Sequence, residues 1–374
     1  MLAHQIRRHA AVARLSCLVF LFAVLTGTTA VAQQQIAPEK VVGRQICKIC
    51  HEAEQTAWER SAHGNNAWQL LDHPKAAGFA QALGVDNIKG ASLCTQCHGT
   101  QQRKRGQLVI AEGNSCESCH GGAGGAGGWL AKHCDFGFGR KITRDIKMTD
   151  LLADRAKESA AHREARDAAC DAAGMNRAEN AFEIAANCLS CHLVPNEKLI
   201  EAGHPLSKRF EFVEWAQGEV RHNFLLDRKV NAEVPTNWTD PLRHGPGRTP
   251  EGRKRLMYLA GQLADLSVSL KARAAVTTTK RRSLGDEAVD RILDIQEELA
   301  DVGVAELQPA LDVVAGMDKD SLSEITPQDK QIYSQAAAAV AKAAKAFVDA
   351  HADGSKLPDT VNVPSRVKGD PYEP

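Results

Sequence analysis

The chain has 374 residues, 46 Lys+Arg against 46 Asp+Glu, and 43% apolar residues, a composition suited to an ordinary soluble globular core. Balanced charge argues against nucleic acid as a partner, because polyanion binders carry a basic surplus that releases counterions from phosphate. Aromatic residues are scarce at 5%, whereas 11 Cys and 14 His exceed what folding a chain of this length requires.

At the N-terminus, Arg7, Arg8 and Arg14 precede an apolar run, Leu15–Leu25, and Ala30-Val31-Ala32 supplies a small-x-small pattern before Gln33. This predicts a secretory signal over residues 1–32. The run is too short to span a bilayer, and no later uncharged stretch is long enough, so no integral membrane span is expected. Cys17 opens the apolar run instead of closing it, which argues against a lipid anchor there. Cleavage after Ala32 removes three Arg and leaves 43 basic against 46 acidic residues. The expected location is the periplasm.

Residues 33–240 carry one motif four times: Cys47-Lys-Ile-Cys50-His51, Cys94-Thr-Gln-Cys97-His98, Cys116-Glu-Ser-Cys119-His120 and Cys188-Leu-Ser-Cys191-His192. Chance gives roughly 0.01 copies in a chain of this composition. Two thiols three positions apart on a helical turn can form thioethers with the two vinyl groups of one haem, and the next residue presents an imidazole to the iron. A structural zinc site would use separated Cys and His groups, and a redox Cys pair does not call for a following His four times over. The motif therefore predicts four covalently bound haem c groups, held by Cys47, Cys50, Cys94, Cys97, Cys116, Cys119, Cys188 and Cys191, with His51, His98, His120 and His192 as proximal iron ligands.

Along the chain, Thr56 to His63 reads as an amphipathic helix directly after the first motif, and His63 is the foremost candidate distal ligand. Arg103, Lys104 and Arg105 read as a solvated turn; a contact for haem propionates or an acidic partner is the sharper alternative. The glycines between Gly121 and Gly128 lead to His133, a second candidate, and either bring backbone close to a haem face or form a loop with no role. Residues 149–175 are rich in Ala and charged residues and predict an exposed helical insertion. Beyond the fourth motif, His204 and His222 complete the candidate distal set. His162 and His351 read as solvated. With few Met in the mature region, imidazole is favoured over thioether as the sixth ligand, which implies low reduction potentials. Cys134 and Cys170 lie outside the motifs; in an oxidising compartment a bridge between them is one possibility.

Pro and Gly cluster over residues 241–252 and mark a linker. A helical C-terminal region, residues 253–353, follows. Leu256, Leu259, Leu263, Leu266 and Leu270 give one apolar stripe, Val289 to Val302 a second, and Thr326-Pro327 starts a third helix. Such stripes must pack on each other, on the haem-bearing part, or on a second subunit, as in a homo-oligomer or larger complex. Residues 354–374 read as an irregular tail. The expected fold is mostly α: a multihaem cytochrome c core with little regular β structure, followed by a helical C-terminal bundle.

Gly43-Arg44 before the first motif, Trp58-x4-His63, the Cys116-Glu117-Ser118-Cys119-His120-Gly121 run and Cys188 to His192-Leu193 together resemble the tetrahaem cytochrome c-554 family over about residues 43–193. The resemblance implies haems in stacked and perpendicular pairs, relaying electrons from oxidation of small nitrogen compounds. It also implies that His63 and His133 are sixth ligands and that one haem, that of His98, lacks a strong protein ligand. The chain departs from the family in Gly121-Gly122-Ala123-Gly124, in the long stretch between His120 and Cys188, and after the fourth motif.

The leading functional expectation is an electron carrier between periplasmic redox donor and acceptor proteins. The alternative is a haem enzyme or gas sensor acting on nitric oxide, nitrite or hydroxylamine at one open iron. A carrier needs saturated irons; an enzyme or sensor needs an open position with polar groups above it.

Overall fold

Short helices built around the Cys motifs lead into three long helices that hold the main apolar core. The structure, a computed structural model, describes residues 36–65, 67–140, 146–206, 210–218, 220, 226–227, 232–233, 249–351 and 354–369, all within the unit Gln33–Pro374. The expected signal segment, His222 and most of the Pro/Gly linker lie outside the described residues.

The first part runs α1 (Arg44–Lys48), α2 (Glu52–Arg60), α3 (Ala62–Asn65), α4 (Pro74–Ala82) and α5 (Ser92–His98). A hairpin of β1 (Thr100–Lys104) and β2 (Gln107–Glu112) follows, then α6 (Cys116–His120), α7 (Leu130–His133), α8 (Met148–Lys157), α9 (Ala160–Ala172) and α10 (Ala181–His192). The fold is mostly helical, as the sequence predicts; described strands are confined to this hairpin and a minimal pair, β3 (Leu226–Asp227) and β4 (Ala232–Glu233), each antiparallel. The hairpin is tight. Lys104 pairs with Gln107, and the two turn residues, Arg105 (φ +50) and Gly106 (φ +80), are both left-handed, as a two-residue hairpin turn demands. Arg103, Lys104 and Arg105 are exposed at its tip.

Residues 149–175, expected as an exposed helical insertion, hold most of α8 and α9, and these helices are not wholly solvated. Leu151 and Cys170 are buried, and so are Glu158 and Arg166. Arg166 forms two hydrogen bonds to Glu158, at 2.7 and 3.0 Å, and lies over the ring of Phe136. A charged pattern hid this inner face, because two of its buried residues, Glu158 and Arg166, are themselves an ion pair. Cys134 and Cys170 are both buried free thiols.

After α11 (Glu197–Glu201) and α12 (Phe212–Ala216), the long helices are α13 (Pro250–Ala275), α14 (Leu284–Ala300) and, beyond short α15 (Gln308–Val314) and α16 (Lys319–Ser323), α17 (Pro327–Ala350). Their starts are written locally. The Thr249 hydroxyl accepts from Gly252 N–H with Pro250 in the first turn, Ser283 caps α14, and Thr326 with Asp329 forms a capping box on α17. The five Leu of the α13 stripe are fully buried, each stabilising by about 1.5–3 kcal/mol as an upper estimate. α13 packs against α17, α14, α12 and α10. Phe182, Ala185 and Leu189 of α10 belong to the same core, so the helix that ends in the fourth motif is seated on the C-terminal helices.

Candidate functional site

Each motif sits on a helical turn. The second lies within α5, the third is α6 and the fourth is the last turn of α10. The first begins on α1 and closes with Cys50 N–H and His51 N–H both donating to the Cys47 carbonyl, at 3.1 and 2.9 Å. A turn of this kind projects both thiols and the imidazole to one side.

The motifs also adjoin one another. The side chains of Cys47 and Cys116 adjoin, as do those of Cys97 and Cys191 and those of Cys119 and Cys188. The connection is held by amides: Asn187 Nδ2 donates to the Ser118 carbonyl at 3.0 Å, and Asn114 Nδ2 to the Cys97 carbonyl at 2.7 Å. The four motifs thus fall in a row, first to third to fourth to second.

Three candidate distal His stand opposite proximal ones. Ring centroids are 6.1 Å apart for His51 and His133, 6.0 Å for His63 and His192, and 6.2 Å for His98 and His204. Two imidazoles on opposite faces of one metal ion, each with its nitrogen about 2 Å from the metal, have ring centres about 6 Å apart. The gaps therefore fit an iron. His222 lies outside the described residues.

The tautomers agree with this. His98 Nδ1 donates to the Ala67 carbonyl at 3.2 Å, His120 Nδ1 to the Asn176 carbonyl at 2.7 Å, and His204 Nδ1 to the Pro205 carbonyl at 3.0 Å. A carbonyl only accepts, so the proton is on Nδ1 and the lone pair on Nε2, the orientation used by a metal-bound imidazole. Burial and the neighbouring His51 hold His133 down to about 3, and burial with His63 holds His192 down to about 4. Burial lowers His98 as well. These imidazoles are neutral at pH 7, as metal ligation requires.

Several supporting groups carry no sequence signal. Phe210 stacks on His192 at 4.6 Å and 22°, with Trp215 near-parallel beside both rings. The Asn176 carbonyl orients His120; as a backbone atom it could not be singled out from residue type. His351, expected to be solvated, is buried at the end of α17 against Phe347, because the helix turns its last ring onto the core. His162 binds Glu158 at 2.9 Å. A separate cleft of about 750 Å³ is lined by Arg44, Trp58, Trp68, Lys89, Leu108 and neighbours, none of them a motif Cys or a candidate His ligand. Among the described residues, no helix is long and apolar enough to cross a membrane.

Residues 46–121 match the family model of cytochrome c554 and c-prime. No curated protein and no solved structure matches the chain. The matched stretch contains the first three motifs and His63, and is that of a c-type cytochrome, with covalently bound haem c and electron transfer as its chemistry.

Proposed function

We propose that the protein is an exported tetrahaem c-type cytochrome that relays electrons between a periplasmic donor and acceptor protein through closely spaced, mostly bis-His haems. The observation that carries this reading is the set of three imidazole pairs with ring centroids 6.0–6.2 Å apart. In it the eight motif Cys anchor four haems, His51, His98, His120 and His192 are proximal ligands, and His133, His63 and His204 cap the irons of His51, His192 and His98 respectively. His222 completes the proposed distal set. Haem supplies reversible one-electron exchange of its iron; the chain supplies attachment, ligand orientation and close spacing.

Adjoining thiols support that spacing, since Cys47 with Cys116, Cys119 with Cys188 and Cys97 with Cys191 link the motifs in one row. His204 bears on the choice between carrier and enzyme. The family resemblance points to the iron of His98 as the open one, and here an imidazole stands opposite that ring. Residues 1–32 would deliver the chain to the periplasm, where haem attachment and partners are found.

The test is haem counting by pyridine haemochrome and intact mass on protein recovered from the periplasm, with EPR of the ferric form. Four haems, all low-spin and inert to cyanide, are expected. Fewer than four would remove the tetrahaem assignment, and a high-spin iron that binds cyanide would favour the enzyme or sensor reading.

A further inference from the structure

Between the first and third motifs lies a buried carboxylate for which the electron-relay reading has no use as yet. Glu117 is 1% exposed. Its Oε1 accepts from Val42 N–H at 3.1 Å and Ala123 N–H at 2.9 Å, and its Oε2 from Val42 N–H at 3.0 Å and Gly43 N–H at 2.8 Å. One side chain therefore ties together the segment entering the first motif, the helix of the third, and the loop that leads to His133.

Both oxygens face only N–H donors, so a proton on either would have no acceptor and the hydrogen bonds favour a carboxylate, while burial, the larger influence, moves the carboxyl upward from its usual value. No Lys, Arg or His among the described residues pairs with it. The adjacent acid, Glu112, differs: Arg44 Nε pairs with it at 2.9 Å, the same Arg44 also pairing with Glu59. Glu117 is thus a buried anion with no cationic partner among the described residues, next in sequence to Cys116 of the third motif and hydrogen-bonded to Val42 and Gly43 at the entrance to the first. The counterpart at the other end of the row, Glu211 beside Phe210, is part-buried and accepts Glu214 N–H at 2.6 Å, but it lies in the field of Lys368, which pairs with Glu214 at 2.7 Å. Around His98, His192 and His204 the packed groups are Phe79, Phe210 and Trp215.

We infer that Glu117 is a positioning residue whose fixed negative charge holds the haems of the first and third motifs at lower potential than those of the second and fourth, giving the row a direction. An anion in a low-dielectric site favours the oxidised iron, which carries one more positive charge. Electrons then run downhill from the His51 end to the His98 end. This rests on the tetrahaem reading above.

The test is spectroelectrochemical titration of the full-length holoprotein and of Glu117→Gln and Glu117→Asp. Expected for E117Q are four low-spin haems, with two of the four midpoint potentials raised and two unmoved. E117D keeps the charge and should stay near wild type. Potentials all unchanged, all four raised equally, or E117D shifted as far as E117Q would overturn the inference. Should E117Q fail to accumulate, His133→Met marks the haem of His51 by raising its potential. The component that moves must be one of the two lowest in the wild type; if it is one of the two highest, the inference fails. Haem counting on each sample separates these outcomes from a failure of the tetrahaem reading itself.

Discussion

His204 faces His98 across 6.2 Å, ring centre to ring centre, from a loop that the family resemblance leaves unassigned. Gly203 makes the approach possible, since its φ of +98 is costly for any side chain, and Phe79 packs at 5.8 Å on the His204 ring. The loop is short and the His204 side chain has one hydrogen bond, to the Pro205 carbonyl, whereas His133 ends a helix and is half-buried.

His204→Ala should therefore open one iron and leave the rest. In ferric EPR, one high-spin signal is expected to replace one low-spin signal, together with new cyanide binding at a single site. An unchanged low-spin spectrum would show that another group caps His98.

Glu158 supplies a pH prediction. Burial pushes its carboxyl upward, but Arg166, His162 and Arg163 outweigh this and the net direction is downward from 4.5. The unfolded chain then takes up the proton at a higher pH than the folded one. Stability from this group is fully present above about pH 4.5 and is lost as pH falls through the lower folded value. Glu158→Gln should cost stability at pH 7 and flatten the acid limb. Urea unfolding of both proteins between pH 7 and pH 3 reads this directly; parallel curves would remove Glu158 from the acid response.

Phe210 offers a packing prediction at the fourth motif. It is buried and parallel to His192, so Phe210→Ala removes a full aromatic side chain and should destabilise the protein by about 3–5 kcal/mol. The imidazole loses its stacking partner at the same time. A change in the EPR g-values of one haem, together with a lower urea midpoint, is expected; a lower midpoint with an unaltered spectrum would confine Phe210 to packing.

The motif proposed for haem attachment is plain in the sequence, because the Cys-x-x-Cys-His spacing is local to one helical turn. The sequence also marked α13, α14 and α17, whose caps and apolar stripes are local features. The hairpin was missed: Thr100 to Lys104 is polar throughout and lacks the alternation of a half-buried strand, while its pairing with β2 depends on residues across the turn. Ligand pairing was equally illegible. His63 follows the first motif yet stands opposite His192, 129 positions on by the chain numbering, and only the packing of α10 brings them together. The roles of Phe210 and of the Asn176 carbonyl arise from tertiary placement alone.

That placement makes the C-terminal helices part of the haem-bearing structure, although the Pro/Gly cluster reads as a boundary. Leu263 is fully buried in α13 and shares one core with Phe182, Ala185 and Leu189 of α10. Leu263→Ala leaves a cavity in that core and should cost about 2–5 kcal/mol. If α10 and α13 unfold as one unit, haem absorbance and far-UV circular dichroism should follow a single urea transition, shifted to lower denaturant in the variant by both probes. Helix loss that precedes any change in haem absorbance would instead make residues 250–350 an independent folding unit, and the fourth motif would then owe its position to the adjoining motifs alone.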